Sequence, residues 1–412
     1  MALELNLADQ VWLNAAETRA VMDALQDARF VGGCVRNALL GLKVDDIDIA
    51  TPLTPDEVKT RVEANGMRAV ATGLEHGTLT VICNSRPFEV TTLRRDVSTD
   101  GRRASVAFTK DWAEDAARRD FAINALYADT AGRLFDYQNG IEDLKAGRVR
   151  FIGDANVRIA EDHLRVLRLF RIHAWYGRGP IDPIALQACA AARGLLSNLS
   201  GERIQREMLK LLTAADPIPA LRAMHEIGVL AALIAGTLGL SRFETLCAND
   251  IVLGWGGDGL LRLGSVISDQ SHARAVATRW RLSNFDRERL IGMHGGQVQA
   301  VGSLDLADVE KILYRVGEVS FCDAVRLRWA EQVDDCKPQA WITMLGLARQ
   351  WRRPQFPISG TDIMDKGVQH GPQVGQILAR VEAWWIDNGF PSDMNMLTRQ
   401  VDAVIASLKA ET

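Results

Sequence analysis

The chain has 412 residues, 47% of them apolar and 24% charged, enough to bury two or three packed units and too apolar for a disordered chain. A formal net charge of −4 excludes a protein that coats nucleic acid indiscriminately, although a polyanion partner needs only a local basic surface. Six cysteines, at positions 34, 83, 189, 247, 322 and 336, form no CxxC pair, so the sequence suggests neither a zinc ribbon nor a disulfide framework and points to a reducing compartment.

Residues 1–29 read as a helix, with Val21, Leu25 and Ala28 leading into an apolar run, Ala28 to Val31, that reads as a strand. Gly32-Gly33 then turns the chain into a helix that closes at Gly41. A helix start preceded by glycines holds phosphate, because its first amides lack partners and the macrodipole favours negative charge. Arg36, one turn in, adds a fork of donors. The next strand, Asp46-Ile47-Asp48-Ile49, has period-two alternation, which sets both carboxylates on one face and both isoleucines in the core. A phosphate-cradling turn, an arginine and an Asp-x-Asp strand together are what Mg²⁺-dependent nucleotidyl transfer requires, and they predict a third carboxylate on a neighbouring strand.

These residues resemble the opening of the tRNA nucleotidyltransferase and poly(A) polymerase family, the second class of the polymerase-beta-like superfamily. The family motif commonly ends in Arg-Asp, where this chain has Arg36-Asn37. The resemblance implies an α+β fold: a polymerase-beta-like nucleotidyltransferase head, with a mixed sheet and helices, over residues 1–150. An all-α remainder would follow, with a neck over 151–225 and a tRNA-binding body and tail over 226–412.

Further along, the capping box Thr54-Pro55-Asp56-Glu57 opens a helix that ends at Gly66. Strands are predicted at Met67 to Thr72, Thr78 to Cys83 and Phe88 to Leu93. Glu89 is the only carboxylate of the last strand, and the resemblance makes it the third metal-site acid. Residues 94–110 show no period until Val106 and read as an irregular loop, which the resemblance sets beside the active site. The segment Asp115 to Asp129 contains the family's RRDFxINA signature, with Ala122 at the variable position. It offers the Arg119 guanidinium to a triphosphate and the Asn124 amide to a backbone or ribose. Strands are expected at Ala122 to Ala128 and Arg133 to Phe135, followed by Asp136-Tyr137-Gln138-Asn139-Gly140 and a short helix, Ile141 to Ala146.

Beyond Ile152 the pattern is helical. A helix from Asn156 to about Tyr176 would carry Leu164, Leu167 and Ile172 on its core stripe and Asp162, Arg165, Arg168 and Arg171 on one other face. Glu161-Asp162-His163-Leu164-Arg165 matches the family's EDxxR motif, in which protein side chains replace a nucleic-acid template. Asp162 with Arg165 would then read a base edge while Arg168 and Arg171 meet phosphates. From Lys145 to Arg178 eight cations face three acids, the best candidate for a phosphate-facing wall. The tryptophans of the C-terminal half, among them Trp280, Trp341 and Trp385, read as core anchors. Gly371-Pro372-Gln373-Val374-Gly375 opens a helix that either holds a phosphate or is a plain N-terminus.

The implied activity is addition of CMP, CMP and AMP to the 3′ end of tRNA from CTP and ATP. Mg²⁺ would be held by Asp46, Asp48 and Glu89, and the phosphates by Gly32, Gly33, Arg36 and Arg119. The alternatives are a poly(A) polymerase of the same family, an enzyme that adds only the cytidines or only the adenosine, and a catalytically silent RNA-binding relative. The most apolar stretch, Val229 to Leu240, is too short and glycine-interrupted to span a bilayer. A soluble, cytoplasmic monomer or homodimer is therefore expected.

Overall fold

The computed structural model describes residues 6–73, 77–99, 104–234, 239–295, 306–331 and 338–410, and its chain divides into two compact units, 1–235 and 236–412. The first unit is built on a mixed sheet. Its strands are β1 (Arg29–Val31), β2 (Asp48–Thr51), β3 (Arg68–Gly73), β4 (Thr78–Cys83), β5 (Arg86–Thr92), β8 (Leu126–Ala128) and β9 (Leu134–Asp136), in the order β3-β4-β5-β2-β1-β8-β9. β2 and β5 pair in parallel, and every other ladder of this sheet is antiparallel.

Local sequence explains most of these elements. Thr54 accepts from the Glu57 amide while the Glu57 carboxylate takes the Thr54 N–H, so the helix Pro55–Ala64 starts on a closed capping box. β4 alternates buried and half-buried residues along its whole length, the signature of a strand with one face on the core. Asn84 and Ser85, both with positive φ, form the two-residue hairpin that joins it to β5. The Asp136 carboxylate accepts from the amides of Gln138, Gly140 and Ile141 at 2.9–3.1 Å, which fixes the start of the helix Gly140–Ala146.

Four expectations change. Residues 1–29 hold two helices, Val11–Asn14 and Ala16–Leu25, parted by an extended Ala15, in place of one, with residues 1–5 outside the described set. Residues 94–110 are not irregular: β6 (Arg94–Thr99) and β7 (Ala104–Phe108) pair as a separate two-stranded ribbon, with residues 100–103 outside the described set. A ribbon outside the main sheet need not alternate apolar with polar, so it carries no period for sequence to reveal. The strand expected at Ala122 to Ala128 is a 3₁₀ turn over Ala122–Asn124 followed by β8. The single helix expected from Asn156 to Tyr176 is two, Ala155–Glu161 and Leu164–Tyr176. Asp162 turns extended there (φ −153°), and its carboxylate accepts from the Leu164 amide at 3.1 Å, so it ends one helix and starts the next.

In the second unit the described residues between the loops are helical, and tryptophans anchor the cores. Trp341 packs with Val309, Leu313, Phe321 and Val325, while Trp385 packs with Tyr314, Ile377, Val381 and Leu397. Asp250 is buried and pairs with both Arg262 and Arg326. Five described cysteines, Cys34, Cys83, Cys189, Cys247 and Cys322, are free thiols, and Cys336 lies outside the described residues. No helix among the described residues is long and apolar enough to cross a membrane.

Candidate active site

The site is assembled where β1 leaves the sheet. Gly32 (φ 76°, ψ −122°) turns the chain from β1 into the helix Gly33–Leu39, a backbone conformation that a side chain would strain. A Cβ at Gly32 would lie 3.6 Å from the Asn124 carbonyl and 4.0 Å from both the Arg119 guanidinium and the Asp48 carboxylate. Those are ordinary contact distances, so glycine is required here by its positive φ rather than by space, and the turn lies beside three residues that the chain supplies far apart. The parallel β2–β5 register sets Asp48 opposite Glu89. Asp46 precedes β2 rather than lying in it, yet Ile47 and Ile49 are both buried and Asp46 is exposed, so the alternation extends past the ladder's end.

The carboxylates are in electrostatic tension. Burial first, and then the charges of Glu89 and Asp46 against the opposing pull of Arg119 and Arg36, push the Asp48 carboxyl up to about 6. Among the described residues no three His, Cys, Asp or Glu side chains converge closely enough to hold a metal ion as they stand. The donor chemistry nevertheless fits a hard divalent cation: the three acids are all oxygen ligands, and the repulsion that raises Asp48 is what such a cation relieves. Behind them, Cys34 is a fully buried thiol pushed up to about 12 by burial and by Asp48, which leaves it a packing group.

Facing the acids is a cavity of about 630 Å³, lined among others by Gly32, Gly33, Asp46, Asp48, Arg119, Asn124, Arg168 and Arg171. Arg36, which also lines it, is buried; its guanidinium donates to the Asn124 side-chain oxygen, to Asn37 Oδ1 at 2.9 Å and to the Tyr176 hydroxyl at 2.7 Å. Arg119 is held by Asp115 at 3.0 Å and by the Tyr127 hydroxyl at 3.1 Å. Burial opposes the Asp115 charge, but Arg119 and Arg118 outweigh it and hold that carboxyl at about 2. Arg168 pairs with Asp120 at 2.6 Å and Arg171 with Glu207 at 2.5 Å.

Residues 28–150 match the model of the Poly A polymerase head domain, and residues 180–237 match that of the probable RNA and SrmB-binding site of polymerase A. The chain is 34% identical to the human mitochondrial CCA tRNA nucleotidyltransferase 1, over 90% of this chain and 85% of that one. It is 32% identical to the CCA-adding enzyme of Limosilactobacillus fermentum, over 90% and 92%. Among solved structures it is similar to the Bacillus stearothermophilus CCA-adding enzyme in complex with CTP, with a TM-score of 0.71, 25% identity, and coverage of 96% of this chain and 98% of that one. The chain belongs to the CCA tRNA nucleotidyltransferase and poly(A) polymerase family.

Where that family's opening motif usually has Asp, this chain has Asn37. Its Oδ1 accepts from Arg36 and from the Tyr176 hydroxyl, at 3.2 Å for the latter, and its Nδ2 donates to the Lys43 carbonyl at 3.1 Å. The EDxxR helix departs from the expected geometry. Asp162 and Arg165 do not share a helix face, because the break at Asp162 rotates it out of register. Asp162 accepts from Arg203 at 2.7 Å, while Arg165 donates to the Glu161 carboxylate and to the Arg158 carbonyl at 2.9 Å. Neither lines the cavity, whereas Arg168 and Arg171 do.

The basic wall is also largely neutralised. Arg148 and Arg150 both bind Asp143, Arg158 and Arg165 bind Glu161, and Arg168 and Arg171 take Asp120 and Glu207, two of these four acids lying before residue 145 and one beyond 178. Sequence reasoning missed Asp115, Asp120, Tyr127 and Tyr176. For Asp120 a signal was present, since it stands inside RRDF; nothing in the local pattern marks Tyr176, which becomes a site residue only when its helix meets the head.

Proposed function

We propose that the protein adds CMP, CMP and AMP in turn to the 3′ end of tRNA, using CTP and ATP and releasing pyrophosphate. The observation that carries this reading is the parallel β2–β5 register, which sets Asp48 against Glu89 beside the Gly32 turn and Arg36, in a chain that spans most of its CCA-adding relatives. Gly32 and Gly33 let the backbone approach the triphosphate, and Arg36 and Arg119 supply donors to it. Asn124 fixes Arg36 through its side-chain oxygen and is itself held by Asp120 at 3.3 Å. The tRNA 3′ hydroxyl attacks the α-phosphate in line, and the pyrophosphate leaves toward the arginines. Asp46, Asp48 and Glu89 would hold Mg²⁺, which when bound supplies Lewis acidity to the hydroxyl and charge neutralisation to the phosphates.

Arg168 and Arg171 extend the cationic lining of the cavity, each with a carboxylate partner that a phosphate would have to replace or share. Asp162 and Arg165 are the base-reading pair of this proposal, an acceptor and a donor for the amine and ring nitrogen of cytosine or adenine. To reach a base they must exchange their contacts with Arg203 and Glu161. The buried free thiols Cys34, Cys83, Cys189 and Cys247 support a reducing compartment such as the cytoplasm.

The test is incubation of the protein with tRNA lacking its CCA end and with CTP alone, ATP alone or both. Two cytidines from CTP alone, nothing from ATP alone and a complete CCA from both are the expected products. Long adenosine tails from ATP alone would identify a poly(A) polymerase, and no incorporation at all would leave an RNA-binding relative.

A further inference from the structure

Of the four arginines that line the cavity, three are held by carboxylates: Arg119 by Asp115, Arg168 by Asp120 and Arg171 by Glu207. Arg36 is the exception. It is 7% exposed, and among the described residues no carboxylate lies within ion-pair distance of it. Its partners are neutral side chains, the amides of Asn37 and Asn124 and the phenol of Tyr176. Burial accordingly lowers the affinity of this guanidinium for its own proton.

Tyr176 touches Arg36 in two ways. The guanidinium carbon lies 3.8 Å from the centroid of the tyrosine ring, while the hydroxyl accepts from Arg36 Nη2 at 2.7 Å and donates to Asn37 Oδ1 at 3.2 Å. A ring face under a desolvated cation and an oxygen at its edge fix a guanidinium without cancelling its charge. Tyr176 closes the helix Leu164–Tyr176, whose first turn carries Arg165. Eleven residues of helix span about 16 Å. One rigid element therefore carries a base-reading residue at one end and the support of a phosphate-binding arginine at the other.

We propose that Tyr176 is a positioning residue for triphosphate binding: its ring and hydroxyl hold the Arg36 guanidinium at the mouth of the Gly32 turn, ion-paired to none of the described carboxylates, so that its charge remains available to the incoming nucleotide. This rests on Arg36 binding phosphate, as proposed above. The same contacts tie the nucleotide-selecting helix to the phosphate turn, so seating of that helix and capture of the triphosphate are one event.

The experiment measures KM and kcat for CTP and ATP, and calorimetric binding of inorganic tripolyphosphate, in wild type, Tyr176→Phe, Tyr176→Leu, Arg36→Ala and the Arg36→Ala/Tyr176→Leu double variant. Tyr176→Phe keeps the ring and loses one charge-assisted hydrogen bond, so KM for both nucleotides should rise about tenfold with kcat little changed. Tyr176→Leu loses ring and hydroxyl and should weaken CTP, ATP and tripolyphosphate further and equally, with tRNA affinity unchanged. In the double variant the Tyr176 change should add nothing to Arg36→Ala, since a residue acting through Arg36 has no effect in its absence. Additive losses in the double variant, or a wild-type KM in Tyr176→Leu, would overturn the proposal. A wild-type KM and tripolyphosphate affinity in Arg36→Ala would overturn the phosphate-binding assignment of Arg36 itself, and the inference with it. Tyr176→Phe, nearly isosteric, reports even if Tyr176→Leu fails to fold.

Discussion

Replacing Asp48 by Asn removes a carboxyl that burial, Glu89 and Asp46 together push from 3.8 up to about 6 in the folded chain. An acid whose folded pKa lies above its unfolded value binds its proton more tightly when folded. Its stabilising contribution is therefore complete below about 4 and is lost as pH rises through about 6. The difference is about 2 pKa units, and at 1.36 kcal/mol for each it amounts to about 3 kcal/mol, an upper value because Asp48 is only partly buried. In the presence of a chelator, Asp48→Asn should thus be more stable than wild type at pH 8 by up to about 3 kcal/mol, and no more stable near pH 4, where wild type is already neutral at this position. Thermal melting at the two pH values, with and without Mg²⁺, reads this directly. Mg²⁺ should raise the melting temperature of wild type at pH 8 and leave that of the variant nearly unchanged, while the variant loses nucleotide incorporation. A variant no more stable than wild type at pH 8, or equally stabilised at both pH values, would show that the carboxylates are not held in mutual repulsion and would remove the electrostatic reason for a cation there.

Asp46→Ala should abolish incorporation by orders of magnitude while tRNA binding, followed by filter retention, stays near wild type. Glu89→Gln should slow CMP and AMP addition alike, and a selective loss of one nucleotide would assign Glu89 to base reading instead. Asp162→Ala or Arg165→Ala should admit UTP or GTP, with roughly 1–3 kcal/mol of selectivity lost for each contact; unchanged kcat/KM ratios across the four nucleoside triphosphates would leave the pair as helix supports of Arg203 and Glu161. Gly140→Ala would drive a Cβ into the Ala122 carbonyl next to Asn124, and it should cost roughly 1–3 kcal/mol of stability by chemical denaturation, with incorporation falling alongside.

Where structure follows from neighbouring residues, the sequence was legible. The Thr54 capping box, the alternating strand Thr78–Cys83 and the Gly32 turn each depend on side chains within a few positions, and each lies where its pattern predicted. The β6–β7 ribbon escaped because strand pairing outside a core leaves no hydrophobic period. The break at Asp162 escaped for a different reason. Neither Gly nor Pro marks it; it depends on a carboxylate that caps the next helix on one oxygen and binds Arg203, forty-one positions away, on the other. Four polar residues spaced three apart share a face only on a continuous helix, and the extended Asp162 interrupts this one.

The lining of the cavity was legible in part, in Gly32, Gly33, Arg36, Asp46, Asp48, Arg119, Asn124, Arg168 and Arg171, but its electrostatics were not. A window count of eight cations against three acids describes what the chain writes, whereas a polyanion meets only the charge that pairing leaves over. Asp120, Asp143 and Glu207 return from outside the window and take up Arg168, Arg148, Arg150 and Arg171, so the densest basic stretch is not the freest. Arg36 stands alone in its own segment, flanked by Val35 and Asn37, and no composition window would select it. Yet folding surrounds it with amides and a phenol and leaves it ion-paired to none of the described carboxylates, one helical turn past the glycines where the phosphates are proposed to sit. The strength proposed for that turn as an anion site therefore rests less on the number of arginines near it than on which carboxylates the fold keeps away from one of them.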